Sequence, residues 1–256
     1  MSLTRNITTR LPMIKQSLPN NPRTKSIFRT KGHRHNYMIF ALCLTLSVMA
    51  IIFIDRPLHD YVQANLPVKW SGFFAVVTMI GYGAPWYIIF GCVLLYGLLA
   101  RFFTHSESRK KYAQQIIKSA MYLLIVLAVT GLIVTILKIG IGRFRPSMLA
   151  EHGLSGFSPL NFVLGQGSYP SGHSQVIFAA MIGLHFVYPR YDFVYFVLAV
   201  IVAISRLMIG VHFLGDILLG AAIGGCGAFI IRHWFVSKWG SIRLVLPRDK
   251  RLIEPD

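Results

Sequence analysis

Six stretches of this chain are apolar enough, and close enough to twenty residues, that a lipid bilayer is their natural solvent. They are residues 37–54, 84–103, 117–138, 174–188, 193–209 and 214–235. A helix needs roughly 20 apolar residues to cross a hydrocarbon core of about 30 Å. Inside that core each backbone amide must find its partner within its own helix. The expected fold class is therefore all-α, a six-helix transmembrane bundle. The fourth block is the shortest and needs Gly172 or His173 to complete its crossing. Residues 55–83 mix Leu58, Tyr61, Val62, Trp70 and Phe73 with polar side chains. One or two short interfacial helices are expected there on the outer side, with Trp70 at headgroup level.

Charge sets the expected orientation. The chain has 256 residues, 54% of them hydrophobic, yet its formal net charge is +17. In a soluble protein that charge would suggest nucleic acid or an anionic surface. Here the cations fall between the apolar blocks, and cytoplasmic loops of membrane proteins carry the excess of Lys and Arg. With the N-terminal tail inside, only Arg56, Lys69, Lys138, Arg143, Arg145 and Arg206 of the 26 basic residues lie outside. Both termini are therefore expected to be cytoplasmic. Residues 1–36 read as a basic cytoplasmic tail, disordered or lying on anionic headgroups, 37–236 as the six-span domain, and 237–256 as a cytoplasmic C-terminal tail. The tail carries almost no aromatic residue to stack on bases, so no nucleic-acid partner is expected. Its length before the first block exceeds that of a secretory leader, so the block reads as a retained span. Cys43, Cys92 and Cys226 each sit within an apolar block and suggest neither disulfides nor a zinc site.

Four of the six outer cations, Lys138, Arg143, Arg145 and Arg206, break the charge rule within two short stretches, and three clusters of residues surround them. The first is Lys138 with Arg145 and Pro146. Seven residues separate the two cations, so a continuing helix would put them on one face, with Pro146 marking its end. Arginine grips phosphate through paired hydrogen bonds and lysine acts as a point charge. Such residues also serve as snorkelling anchors. Arg206 resists that reading, because a charge within an apolar run is costly and usually functional. The second cluster is Pro170, Ser171, Gly172 and His173. Ser171 suits a helix N-cap, Gly172 admits close backbone approach, and freed amides at a helix start favour an anion. His173 would lie in that first turn, placed to protonate a leaving oxygen. The third is Ser205 and Arg206, followed by His212 and Asp216. Four residues apart, His212 and Asp216 can share a helical face. Asp216 would then fix the imidazole tautomer and leave the other ring nitrogen free to attack phosphorus. Too few further carboxylates accompany the pair to make a metal site, so no metal and no cofactor are expected. The loop from 139 to 173 joins the first two clusters and is long for a helix connection. Glu151 and His152 within it read as solvated loop residues. Arg143 receives no firm role.

Together the clusters read K-x6-R-P, P-S-G-H and S-R-x5-H-x3-D, with every motif letter present and in order from Lys138 to Asp216. This resembles the type 2 phosphatidic acid phosphatase and vanadium haloperoxidase superfamily, in its membrane lipid phosphatase branch. The resemblance implies catalysis by His212 as nucleophile, through a phosphohistidine, with Asp216 orienting it and His173 protonating the leaving group. It implies phosphate binding by Lys138, Arg145, Ser171, Gly172 and Arg206. The implied substrate is a phosphomonoester or pyrophosphate of a membrane lipid: lipid A, undecaprenyl pyrophosphate, phosphatidylglycerol phosphate or phosphatidic acid. The implied setting is a bacterial inner membrane with the site facing the periplasm. Two rival readings remain: a lipid phosphotransferase using the same intermediate, and a transporter or scaffold that binds lipid phosphate without turnover. Neither the preferred lipid nor the oligomeric state is legible in the sequence.

Overall fold

A computed structural model describes residues 33–163 and 165–244. Most of the basic N-terminal tail and of the C-terminal tail lies outside the described residues. Within them the chain is helical, with only two isolated β-bridges. The first apolar block forms α1 (His33–Met49), then a π-helical turn (Ala50–Ile54) that leads without a break into α2 (Asp55–Asn65). Pro67 starts α3 (Val68–Val77), which tightens into a 3-10 turn (Thr78–Gly81). Two short helices thus lie between the first two blocks, where one or two were expected. Next come α4 (Gly83–Phe103) and α5 (Glu107–Ile141), followed by α6 (Pro146–His152), α7 (Gly172–Val187), α8 (Asp192–Met208) and α9 (Leu214–Trp239).

Five helical stretches are long and apolar enough to cross a membrane, and they coincide with five of the six blocks. The remaining block, the fourth, forms α7, which spans 16 residues and starts at Gly172, one of the two residues expected to extend it. Two thirds (67%) of the α9 stretch is buried, against 11% for the stretches containing α1 and α4. The last helix is therefore the axis of the bundle, and α1 and α4 are its periphery. Tyr37, Leu42, Ile88, Tyr96 and Phe102 point outward from those peripheral helices. Exposed apolar surface of this extent suits lipid, not water.

The core is made by α5, α7, α8 and α9, through Tyr122, Leu127, Ile177, Met181, Val202 and Phe235. Close approach of α7 and α9 depends on two glycines four residues apart. A Cβ on Gly220 would stand 2.3 Å from the Ser171 carbonyl oxygen, and one on Gly224 would stand 2.3 Å from that of Gln175. Small residues at this spacing are how helices pack in lipid, where water supplies no force between them. The contact clamps the start of α7 against α9. Segment 240–244 turns back at the opposite end of the bundle, where the Leu244 amide donates to the Val187 carbonyl at 2.8 Å. Cys226 is buried, Cys92 exposed and Cys43 between the two.

Candidate active site

Four helix termini meet at one end of the bundle: the end of α5, the start of α7, the end of α8 and the start of α9. Each carries a motif residue. The end of α5 is set by Gly142, whose φ of +62° is left-handed and costs a glycine little. A Cβ there would also strike the Ser158 carbonyl oxygen at 1.7 Å. This corrects the expectation of one helix carrying Lys138 and Arg145 to Pro146. Lys138 lies in the last turn of α5, the chain then leaves the helix, and Pro146 is the first residue of α6. Proline fits a first turn because its missing N–H has no partner to lose. The two cations converge through a loop. Arg145 Nε donates to the Gly167 carbonyl at 3.2 Å, and the absent side chain of Gly167 leaves room for the Lys138 stem. Glu151 and His152 are exposed, as expected, but belong to α6.

Ser171 caps α7: its hydroxyl accepts from the Ser174 amide at 3.4 Å, and its own amide donates to the Asp216 carbonyl at 2.9 Å. That second bond ties the P-S-G-H segment to the histidine–aspartate pair. Nothing lies within 4 Å of a Cβ placed on Gly172, so this face of the cap is open. His173 follows in the first turn, with its ring edge-on to Tyr82 at 4.5 Å. Its Nε2 is buried and unpartnered. Arg206, in the last turn of α8, donates from Nη1 to the Thr78 hydroxyl at 2.8 Å, while its Nε is buried and unpartnered.

His212 occupies the turn between α8 and α9. Its Nδ1 lies 3.3 Å from Asp216 Oδ2, and Nε2 makes no hydrogen bond among the described residues. The same Oδ2 accepts from the Phe213 amide at 2.9 Å, so Asp216 also caps α9. Burial pushes the imidazole pKa down to about 4, and Asp216 pulls the other way without overcoming it. His212 is therefore neutral near pH 7 and has a lone pair to offer. Lys138 and Arg206 lie close enough for their charges to act on it, and His173 in turn feels Arg206, His212, Lys138 and Arg145. All eight residues singled out in the sequence are thus brought to this one end of the bundle.

Two residues escaped that reading. Arg143 is buried and donates from Nη1 to both Asp55 Oδ2 and Asp216 Oδ1, at 2.7 Å each. Its guanidinium also sits over the Phe213 ring, 4.3 Å from the centroid. Asp55, at the start of α2, accepts from the Gly215 amide at 2.9 Å and so helps cap α9 from another helix. The available signal was charge: Arg143 lies on the side where the charge rule does not place it, and Asp55 is a carboxylate set directly at the end of an apolar block. The pairing separates the cations into two kinds. Arg143 consumes both buried carboxylates, while Lys138, Arg145 and Arg206 have no carboxylate partner among the described residues. Arg206 is buried and Lys138 and Arg145 are partly so; cations withdrawn from water without a partner are costly, and an anion would relieve them. No group of three or more His, Cys, Asp or Glu among the described residues is arranged to hold a metal ion.

From Lys138, Gly172 and His173 a groove of about 400 Å³ runs between α4, α5 and α7, past Tyr87, Gly131 and Gln175 to Leu127. Eleven residues of α5 separate Lys138 from Leu127, a drop of about 16 Å at 1.5 Å per residue.

This chain is similar to several known proteins. The model of the PAP2 superfamily matches residues 119–239. A lipid A 1-phosphatase of Rhizobium etli is 30% identical over 189 residues, covering 72% of this chain and 79% of that one. A lipid A 1-phosphatase of Rhizobium johnstonii is 27% identical over 183 residues, covering 71% and 73%. Among solved structures, a transmembrane PAP2-type phosphatidylglycerolphosphate phosphatase from Bacillus subtilis shares the fold with a TM-score of 0.55 at 20% identity. It covers 78% of this chain and 94% of that one. Aquifex aeolicus LpxE gives a TM-score of 0.50 at 21% identity, covering 70% and 95%.

Proposed function

This chain belongs to the PAP2 superfamily, and on that footing we propose that it is a bacterial membrane lipid phosphatase whose first candidate substrate is the 1-phosphate of lipid A. The observation that carries the reading is the imbalance of charge: Lys138, Arg145 and Arg206 converge without a carboxylate, beside a histidine held by Asp216. A phosphate dianion supplies what those cations lack. Its bridging oxygen would lead to the sugar of lipid A, and an acyl chain carried by that sugar would enter the groove below Lys138 while the headgroup stays at the interface.

The chemistry follows from the positions. Phosphate oxygens are held by Lys138, Arg145, Arg206 and the open face of the Ser171–Gly172 cap. The Nε2 lone pair of His212 attacks phosphorus, the P–N bond forms as the P–O bond to the lipid breaks, and His173, holding a proton because the bound phosphate offsets the cations around it, delivers that proton to the departing oxygen. Asp216 accepts from Nδ1 and stabilises the positive charge that develops on the ring. Water then attacks the phosphohistidine, giving its proton back to His173, and inorganic phosphate leaves. Ser171 acts here chiefly as the cap that aims the Gly172 amide.

The membrane arrangement supports the same picture. All these groups lie at the end of the bundle opposite segment 240–244, and the excess of Lys and Arg on the other segments supports a cytoplasmic position for that one. The site then faces the periplasm, with α7 completing a sixth crossing. Phosphate release from lipid A, phosphatidylglycerol phosphate, undecaprenyl pyrophosphate and phosphatidic acid in detergent micelles tests the proposal. Turnover should be highest on lipid A. Binding without phosphate release from any of the four would instead establish a carrier.

A further inference from the structure

The groove below the site is lined by apolar and polar groups; the Thr135 hydroxyl is already spent on the Gly131 carbonyl, but one turn further down a fixed acceptor waits. Gln175 and Tyr87 both line it, and Gly131 faces them from α5. A Cβ on Gly131 would stand 3.8 Å from Gln175 Oε1 and 3.9 Å from the Tyr87 hydroxyl. The orientation of the Gln175 amide is dictated by its neighbours. Thr130 gives its one hydroxyl proton to the Val126 carbonyl at 2.6 Å. It can therefore only accept from Gln175, whose Nε2 donates to it at 2.7 Å. The Gln175 side chain is 2% exposed, so this pairing is locked in the bundle. Oε1 is left turned to the groove with no protein partner among the described residues, and neither has the Tyr87 hydroxyl. A bare amide oxygen facing a hydrocarbon chain is unfavourable. An alkyl chain alone does not answer it.

We propose that Gln175 Oε1 and the Tyr87 hydroxyl form a subsite that reads a hydrogen-bond donor, a hydroxyl or amide N–H, carried on the lipid chain of the substrate. This rests on the lipid phosphatase reading and adds a chain requirement to it. Gly131 is seven residues below Lys138 on α5, so the subsite lies about 10 Å beneath the phosphate end. The glycine leaves room at that level, where a Cβ would come into ordinary van der Waals contact with both polar atoms. A site built around a polar partner rejects the analogue that lacks it far more strongly than a hydrophobic pocket rejects a missing methylene.

The test uses purified full-length protein and hexadecyl phosphates that differ only in one position along the chain. One set carries a hydroxyl at successive carbons, a second carries an amide in place of two methylenes, and the parent carries neither. Wild-type kcat/KM should peak for a donor near 10 Å from phosphorus, at about tenfold or more over the parent. Which set peaks higher decides between hydroxyl and amide. Gln175→Leu should abolish the preference while leaving turnover of the parent within about threefold. Tyr87→Phe, which keeps the shape of the groove, should reduce the preference in part. Equal kcat/KM across the wild-type panel would overturn the subsite and leave the phosphatase intact. An equal fall on every substrate in both variants would also overturn it, by making the residues structural. No phosphate release from the whole panel or from lipid A would instead remove the phosphatase reading itself.

Discussion

Arg143 Nη1 stands 2.7 Å from Asp216 Oδ1, while the other oxygen of that carboxylate faces His212. The orienting carboxylate of the site is thus itself oriented, by a cation paired with two carboxylates. The same nitrogen reaches Asp55 and so fastens α2 to the beginning of α9. Breaking a buried pair leaves an uncompensated charge and costs about 3–5 kcal/mol. Arg143→Met should therefore lower stability by about that amount, read as a fall in the detergent melting temperature. Activity should fall as well, because Asp216 loses its anchor. A variant that melts like the wild type would show that the two carboxylates do not depend on Arg143.

Asp216→Asn keeps the size of the side chain but removes its charge and the tautomer lock on His212. Removing the charge of a carboxylate that fixes a catalytic histidine's tautomer costs up to about 10⁴-fold in kcat. A loss of kcat in that range is expected, with KM nearly unchanged, since phosphate is held by other residues. A change confined to KM would move Asp216 into substrate binding.

The depressed pKa of His212 fixes two pH responses. The neutral imidazole is the nucleophile, so kcat/KM should hold as pH falls past the ordinary histidine value of 6.5. Its acid limb, where it reports this residue, should come near pH 4. Stability follows the same group with a definite sign. Between about 6.5 and 4 the unfolded chain binds a proton that the folded His212 refuses, so stability drops as pH falls through that window. Melting scans against pH check the second response and initial rates the first. A limb at 6.5 would show that the folded protein does not perturb His212.

Gly220 separates packing from chemistry. A methyl group there would press on the Ser171 carbonyl, whereas Gly140 has open space around it. Overpacking costs about 1–3 kcal/mol. Gly220→Ala should lower both melting temperature and kcat, because α7 brings His173 to the site. Gly140→Ala should leave both close to wild type. Equal behaviour of the two variants would show that α7 does not need to approach α9 so closely.

Much of this architecture was legible in the sequence because its signals are one-dimensional. Apolar runs of bilayer length gave the long helices, and Gly172 and Ser171 marked the start of α7 correctly. The motif residues were found because their spacing carries chemistry. What was missed required folding back in space. Arg143 looked like a bystander because its partners are 88 and 73 residues away. Asp55 looked like the start of a surface segment. Helical spacing put Lys138 and Arg145 on one helix, and the left-handed Gly142 broke it. In each case a tertiary contact or a positive φ overrode a correct local argument.

The covalent intermediate tests the central claim most directly. Purified protein is mixed with lipid A labelled with ³²P at the 1-phosphate, quenched in alkali within milliseconds to seconds, and digested for peptide mapping. Label should appear on the peptide containing His212 as an alkali-stable, acid-labile phosphoramidate. It should be absent from His212→Ala, which should also release no phosphate. Phosphate release by His212→Ala, or label fixed to any other residue, would contradict the account.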